Sequence, residues 1–150
     1  MNLNKLARKY KSDKYGSHFY TPIYQKYMDP KKNKKIIIFE IGIGGLEPKV
    51  GYSGLKTGGE SLRMWRDFFK KGKIIGLDIV KKNINLGKKV EIFHGSQSDN
   101  STLDKIVKKY KRFDFIVDDG SHNYKDVKYS FEYLFQFLKD GGYYFIEDTQ

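Results

Sequence analysis

Short apolar runs alternate with stretches of helical periodicity along most of this chain. Residues 36–43 are almost continuously apolar, interrupted by Glu40 and then broken by Gly42, Gly44 and Gly45. A run filled on both alternating faces suits a strand buried on both sides, as in a parallel sheet covered by helices. Residues 73–79, 90–95, 113–118 and 143–148 read as further strands. Between them lie three helical patterns. Leu62, Trp65, Phe68 and Phe69 follow Ser61 as a cap and end at Gly72, while Leu103, Ile106, Val107 and Tyr110 follow a capping pair of Ser101 and Asp104. Val127, Phe131, Leu134, Phe135 and Leu138 trace the third buried face, which Asp140-Gly141-Gly142 terminates. Strand and helix alternating in this way predict an α/β fold with a doubly wound parallel sheet in the order 3-2-1-4-5.

Ahead of the first strand, Leu3, Leu6, Ala7 and Tyr10 repeat at helical spacing, as do Tyr24, Tyr27 and Met28 after Thr21-Pro22. These predict an N-terminal helical hairpin. The polar and aromatic stretch 11–21 between the two helices reads as a loop of the kind that serves as a binding lid. Residues 1–30 thus form a cap segment, and 31–150 the main domain. Residues 46–59 carry Gly51, Gly54, Gly58 and Gly59 and read as a long loop beside whatever the glycine turn binds.

Composition narrows the classes. No cysteine is present, so neither an oxidising compartment nor a thiolate metal site is indicated. The first residues lack the apolar core of a signal peptide and no run reaches membrane-spanning length, which makes the cytoplasm the expected compartment. The formal charge is +11. Phosphate binding would use such a field, but the lysines are scattered along the whole chain, and a solvated basic surface explains them as well as an RNA-binding face does. An acidic or phosphorylated glycan could use the same field.

The candidate chemistry lies at the strand ends. Glycines after the first strand let the chain turn sharply and bring backbone close to a ligand. Gly42, Gly44 and Gly45 lack the third glycine of the dinucleotide fingerprint, and Glu40 stands where that fingerprint has an apolar residue. Asp78, at the carboxyl end of the second strand, is placed to accept hydrogen bonds from ribose hydroxyls. Ser96, Gln97 and Asp99 follow the third strand and are candidates for an adenine, whereas His94 is taken as a strand histidine. Asp118-Asp119 and Glu147-Asp148 end neighbouring strands. Converging carboxylates repel each other unless a cation sits among them, and hard oxygen donors suit Mg²⁺ better than Zn²⁺. His122 follows Asp119 closely enough to act as a general base near neutral pH.

Glu40-Ile41-Gly42-Ile43-Gly44-Gly45 resembles the first motif of class I S-adenosylmethionine-dependent methyltransferases, a Rossmann-like fold. Further stretches resemble the metal-dependent sugar O-methyltransferases of antibiotic glycosides and bacterial surface sugars. They are Ser12-Asp13-Lys14, His18-Phe19-Tyr20-Thr21, residues 58–65, Ile75-Gly76-Leu77-Asp78-Ile79, Gly95-Ser96-Gln97-Ser98-Asp99, Asp118-Asp119-Gly120-Ser121-His122 and Ile146-Glu147-Asp148-Thr149. The resemblance implies that Asp119, Glu147 and Asp148 hold magnesium and that His122 is the catalytic base. It implies that Glu40, Gly42, Gly44, Asp78, Ser96, Gln97 and Asp118 line the S-adenosylmethionine pocket, with Tyr20, Thr21 and Arg63 near its methionine end. The acceptor would be a sugar hydroxyl on a small glycoside or a polysaccharide. Such domains continue past the fifth strand, so the chain is expected to be C-terminally incomplete. Its fifth strand is then an open edge inviting a second copy to pair as a homo-oligomer. An RNA methyltransferase and an inactive cofactor-binding or interaction module stay open as alternatives.

Overall fold

The computed structural model describes residues 1–47, 51–53 and 55–149; for residues 46, 47 and 51–53 it describes the backbone alone. β1 (Ile37–Ile41), β4 (Lys73–Asp78), β5 (Val90–His94), β6 (Phe113–Asp118) and β7 (Leu138–Ile146) form one sheet in the order β5-β4-β1-β6-β7. All four pairings are parallel. This is the expected 3-2-1-4-5 order, and every strand's carboxyl end reaches the same edge.

Alternation along the strands fills two cores. Ile38, Ile74, Phe115 and Val117 face α1 (Leu3–Tyr10), α2 (Thr21–Met28) and α3 (Glu60–Phe68), packing with Leu3, Tyr24, Leu62 and Trp65. Phe39, Ile41, Ile75, Leu77 and Ile116 face the other way, onto Leu103, Ile106 and Val107 of α4 (Asn100–Tyr110) and Leu134 of α5 (Tyr124–Leu134). The expected N-terminal hairpin is α1 and α2, packed on the first of these faces. Among the described residues, no helix is long and apolar enough to cross a membrane.

Several local expectations are corrected. The stretch 46–59 is not simply a loop: β2 (Gly45–Glu47) and β3 (Gly51–Ser53) pair antiparallel in it, while residues 48–50 and 54 lie outside the described residues. Ser61 does not cap α3. Gly59 in a left-handed conformation precedes the helix, and the Ser61 hydroxyl is turned inward to Glu40. The cap of α4 is Asp99, whose carboxylate accepts from the Thr102 amide at 2.8 Å, in place of Ser101 with Asp104. Phe131 on α5 and Phe135 in the turn just after it are 36% and 54% exposed, so they do not belong to a buried face. Asp140-Gly141-Gly142 lies inside β7, which begins at Leu138 and shifts register between Phe113 and Phe115. Pairing with β6 decides that boundary, which no local pattern reports.

The hairpin is fastened to α3 by one cluster. Asp67 accepts hydrogen bonds from the Tyr10 hydroxyl, from Arg66 Nε at 3.0 Å and from Lys9 Nζ at 3.4 Å. Burial by itself would push this carboxyl up, but the Tyr10 and Arg66 hydrogen bonds outweigh it and hold it at about 2. A carboxyl depressed in the folded state stabilises above its unfolded value and loses that contribution as pH falls through the folded one. The stability gap between wild type and Asp67→Asn in urea titrations is therefore expected to be about 2 kcal/mol or less at pH 7, and to close between about pH 4 and pH 2.

Candidate active site

The carboxyl edge of the sheet carries a cleft whose walls come from three parts of the chain. Lys11, Ser12, Asp13, Lys14 and His18 of the interhelical loop form one side. Gly42, Ile43 and Gly44 with Glu60 and Ser61 form the floor, and Asp119, Gly120, His122 and Asp148 complete it. The floor is tightly built. Gly42 has φ +77°, and a Cβ there would lie 1.9 Å from the Asp119 carbonyl oxygen. Its amide donates to the Leu77 carbonyl at 2.8 Å, while the Asp119 amide donates to the Ile41 carbonyl at 2.9 Å. The glycine turn and the turn after β6 are thus pressed backbone to backbone at the switch point of the sheet.

Ligating atoms of Asp119, His122 and Asp148 all lie within 4.8 Å of one another. His122 Nε2 is 3.8 Å from Asp119 Oδ1 and 3.8 Å from Asp148 Oδ2. Both His122 and Asp148 have positive φ, +56° and +52°. The other two described non-glycine residues of that kind, Lys11 and Lys111, merely end helices. A left-handed histidine and aspartate outside helix caps are the sort of strain that the surroundings must enforce, and it gathers at functional sites. Tyr20 helps enforce it. Its hydroxyl donates to Asp148 Oδ1 at 2.5 Å and accepts from the Asp148 amide at 3.3 Å, and the bond to Asp148 together with burial pushes the phenol up to about 12. His18 stacks on the Tyr20 ring at 5.2 Å and brings Nδ1 to 3.7 Å from Asp148 Oδ1.

Glu147, also expected as a metal ligand, is turned toward Lys14. It is 4% exposed, and its Oε1 accepts from Lys14 Nζ at 2.7 Å and from the Tyr24 hydroxyl. Lys14 also donates to Asp119 Oδ2 at 2.7 Å and lies 3.3 Å from Glu40 Oε1. Lys14 reaches Asp119 and Glu147 from more than a hundred residues away in the chain. Burial pushes Glu40 up and Lys14 pulls it back, leaving it at about 7; Glu147 is raised by the same contest. Glu40 Oε2 is occupied by the Ser61 hydroxyl at 2.7 Å and the Trp65 indole at 3.1 Å, so this acid anchors α3 beneath the cleft.

No family model matches the chain. It is 38% identical over 148 residues to the mycinamicin VI 2''-O-methyltransferase of Micromonospora griseorubida, which covers 98% of this chain and 36% of that protein. It is 39% identical over 148 residues to the demethylmacrocin O-methyltransferase of Streptomyces fradiae, again 36% of that protein's length. A solved structure of the MycE methyltransferase from the mycinamycin biosynthetic pathway, in complex with Mg and SAH, matches 99% of this chain with a TM-score of 0.87 and 38% identity. Its homologues are sugar O-methyltransferases. The chain spans about a third of the length of the curated relatives it matches.

Seen as a homologue of those sugar O-methyltransferases, the chain carries a donor set that fits a magnesium ion at the outer part of the cleft, where the carboxylates of Asp119 and Asp148 meet. The residues expected further along the cofactor are engaged in the protein itself. Asp78 Oδ2 accepts from the Ile43 amide at 3.0 Å and Oδ1 from the Val80 amide at 2.8 Å, with Lys82 Nζ at 3.4 Å. Gln97 donates to both Asp118 oxygens and accepts from the Ser121 amide at 2.8 Å. Asp118 is 1% exposed and also accepts from Ser130 at 2.7 Å. Gln97 and Asp118 thus brace the Gly120-Ser121-His122 turn, with Ser130 of α5 behind Asp118.

Ser96 shares its hydroxyl with Ser98 at 3.1 Å, His94 Nε2 contacts the Ile79 carbonyl, and Arg63 Nη1 donates to the Gly58 carbonyl at 3.0 Å. Thr21 is fully buried, and its hydroxyl has no hydrogen-bond partner among the described residues. Lys14 and His18 are the residues that spacing alone did not single out as site members. Their signs in the sequence were membership of a polar, aromatic loop and of the Ser12-Asp13-Lys14 and His18-Phe19-Tyr20-Thr21 stretches that carry the resemblance.

Proposed function

We propose that this chain is the S-adenosylmethionine-binding part of an O-methyltransferase acting on a sugar hydroxyl in a glycoside. The observation that carries the reading is the meeting of Asp119, His122 and Asp148 beside the glycine turn, in a chain 38% identical to a mycinamicin methyltransferase. Asp119, Glu147 and Asp148 would hold Mg²⁺, which would lower the pKa of the acceptor hydroxyl, and bound S-adenosylmethionine would supply an electrophilic methyl group.

The remaining work falls to the chain's own residues. His122 would accept the hydroxyl proton at Nε2 as the acceptor oxygen takes the methyl group in line, the sulfur–methyl bond breaking to release S-adenosylhomocysteine. Tyr20 and His18 hold Asp148 in its strained conformation, and Glu147 stands behind Asp119 through Lys14. Gly42 and Gly44 present backbone to the cofactor, and Asp78 with Ser96 serves its nucleoside end, Asp78 exchanging its contact with Lys82 for the ribose. The setting we assign is the cytoplasm, and the acceptor a secondary-metabolite or surface-polysaccharide sugar.

Isothermal titration of S-adenosylhomocysteine into the chain tests this. Binding at micromolar strength or better, about −8 kcal/mol, is expected with Mg²⁺ present. Absence of binding in a sample shown to be folded overturns the reading for this chain.

A further inference from the structure

The lysines scattered along the sequence are gathered by the fold. Each sheet strand is entered through a turn on the amino edge, opposite the cleft, at residues 31–36, 69–73, 87–91, 108–113 and 138–140. These turns hold 14 of the 29 lysines and arginines but 2 of the 18 acids, so the rest of the chain, with 15 bases and 16 acids, is close to neutral. The strand starts are direct neighbours: the Lys73 amide donates to the Ile36 carbonyl at 2.8 Å, and the Ile74 amide to the Lys89 carbonyl at 2.9 Å. Strands in a sheet lie about 4.8 Å apart, so Lys88, Lys71, Lys35 and Lys111 lead into β5, β4, β1 and β6 as one row. α3 and α4 end at this edge on opposite faces of the sheet, which sets Lys70 to one side of the row and Lys108 to the other.

Part of this charge is spent locally. Glu91 pairs with Lys109 at 2.7 Å and with Lys73 at 3.8 Å, Asp114 pairs with Lys139 at 2.7 Å, and Lys89 donates to the Arg66, Phe69 and Lys70 carbonyls at the end of α3. Lys34, Lys35, Lys70, Lys71, Lys88 and Lys111 are exposed and form no ion pair among the described residues. The negative end of a helix accounts for lysines in its last turn, but Lys34, Lys35 and Lys88 stand in no such turn. Like charges gathered in this way repel one another and disfavour the compact state unless an anion meets them.

We infer that this edge docks the protein on an anionic lipid surface, by charge and without insertion. Thirteen of the fourteen bases are lysines, and the one arginine, Arg112, spends Nη1 on the Gln136 and Leu138 carbonyls at 3.1 and 3.2 Å. No exposed aromatic side chain stands in the five turns to stack on a base, as a groove for single-stranded nucleic acid would need. Ammonium groups spread in two directions, with no exposed large apolar side chain among them, match headgroups laid out in a plane, where each lysine adds its own increment of attraction. Docking by the amino edge leaves the cleft turned away and open to its ligands.

Co-sedimentation with vesicles tests this, using phosphatidylcholine alone or with about 30% phosphatidylglycerol. The protein is expected to sediment with the anionic vesicles at about 0.05 M NaCl, to be released by about 0.5 M, and to ignore phosphatidylcholine alone. Lys35→Gln, Lys71→Gln and Lys111→Gln combined are expected to weaken binding about 100-fold and to leave S-adenosylhomocysteine affinity unchanged. The same loss of charge at Lys81, Lys125 and Lys128, outside the five turns, is expected to weaken vesicle binding by less than about 5-fold. Thermal melting verifies that each variant is folded; should the first not be, Lys35→Gln with Lys88→Gln replaces it, with about 30-fold weaker binding expected. Equal losses in the amino-edge variant and the control, or no binding of wild type to anionic vesicles at low salt, overturn the proposal. Tighter binding per phosphate to double-stranded RNA than to the vesicles at equal salt makes the partner a nucleic acid and overturns it as well.

Discussion

His122→Asn is expected to lower methyl transfer by roughly 10²–10⁴-fold while leaving S-adenosylhomocysteine affinity within about twofold. Asparagine is the substitution to use because it tolerates the left-handed conformation that His122 adopts at φ +56°, so backbone strain is not the reason for any loss. It cannot take a proton near neutral pH, which isolates the base. The ring lies 3.8 Å from both Asp119 and Asp148, and its side chain is 41% exposed, as a group that must meet an incoming substrate has to be. Initial rates with an acceptor sugar and calorimetry on the same preparation decide the matter. Equal losses in rate and in cofactor affinity would make His122 a part of the turn and not the base.

Gly42→Ala is expected to destabilise the chain by about 2–5 kcal/mol and to abolish S-adenosylhomocysteine binding. Two effects combine there. A side chain at φ +77° is strained, and its Cβ would overlap the Asp119 carbonyl, which is backbone and cannot swing aside. Gly87 provides the control, since it has φ +86° but, among the described residues, nothing within 4 Å of an added Cβ. Gly87→Ala is expected to cost only the strain, about 1–2 kcal/mol, with binding unchanged. The difference between the two variants in urea unfolding measures how firmly the glycine turn is pressed on the turn that carries Asp119. Similar costs for both would mean that the two turns can separate cheaply.

Both variants probe a junction that was partly legible in the chain itself. The continuous apolar run ending in Glu40 and glycines located β1 and its turn, because a strand buried on both faces leaves that mark whatever surrounds it. The Asp-Asp-Gly-Ser-His stretch located the turn after β6. Short elements were less legible. β2 and β3, each of three residues, are too brief for any periodicity to register, and the start of β7 is set by its pairing with β6 across a register shift. The helix caps were misplaced for a related reason: Ser61 and Ser101 are good caps in isolation, but Glu40 claims the first, and Asp99 stands ahead of the second and caps in its place.

The sequence by itself determined the α/β class, the strand order, the edge of the sheet on which chemistry gathers and the acids that end the strands. The class and the strand-end acids follow from local hydrophobic period and chain direction, both written in consecutive residues, whereas the strand order was the usual one for such a fold. Only the tertiary structure decided how those acids are shared out. It set Asp119 and Asp148 with His122 at the cleft, drew Glu147 and Glu40 inward to Lys14, and turned Gln97 and Asp118 toward each other. Partner choice among carboxylates depends on which cation or donor arrives through space, and Lys14 reaches Asp119 and Glu147 from a loop far away in the chain. No spacing along the chain carries that information, because it resides in the packing of the N-terminal hairpin on the sheet.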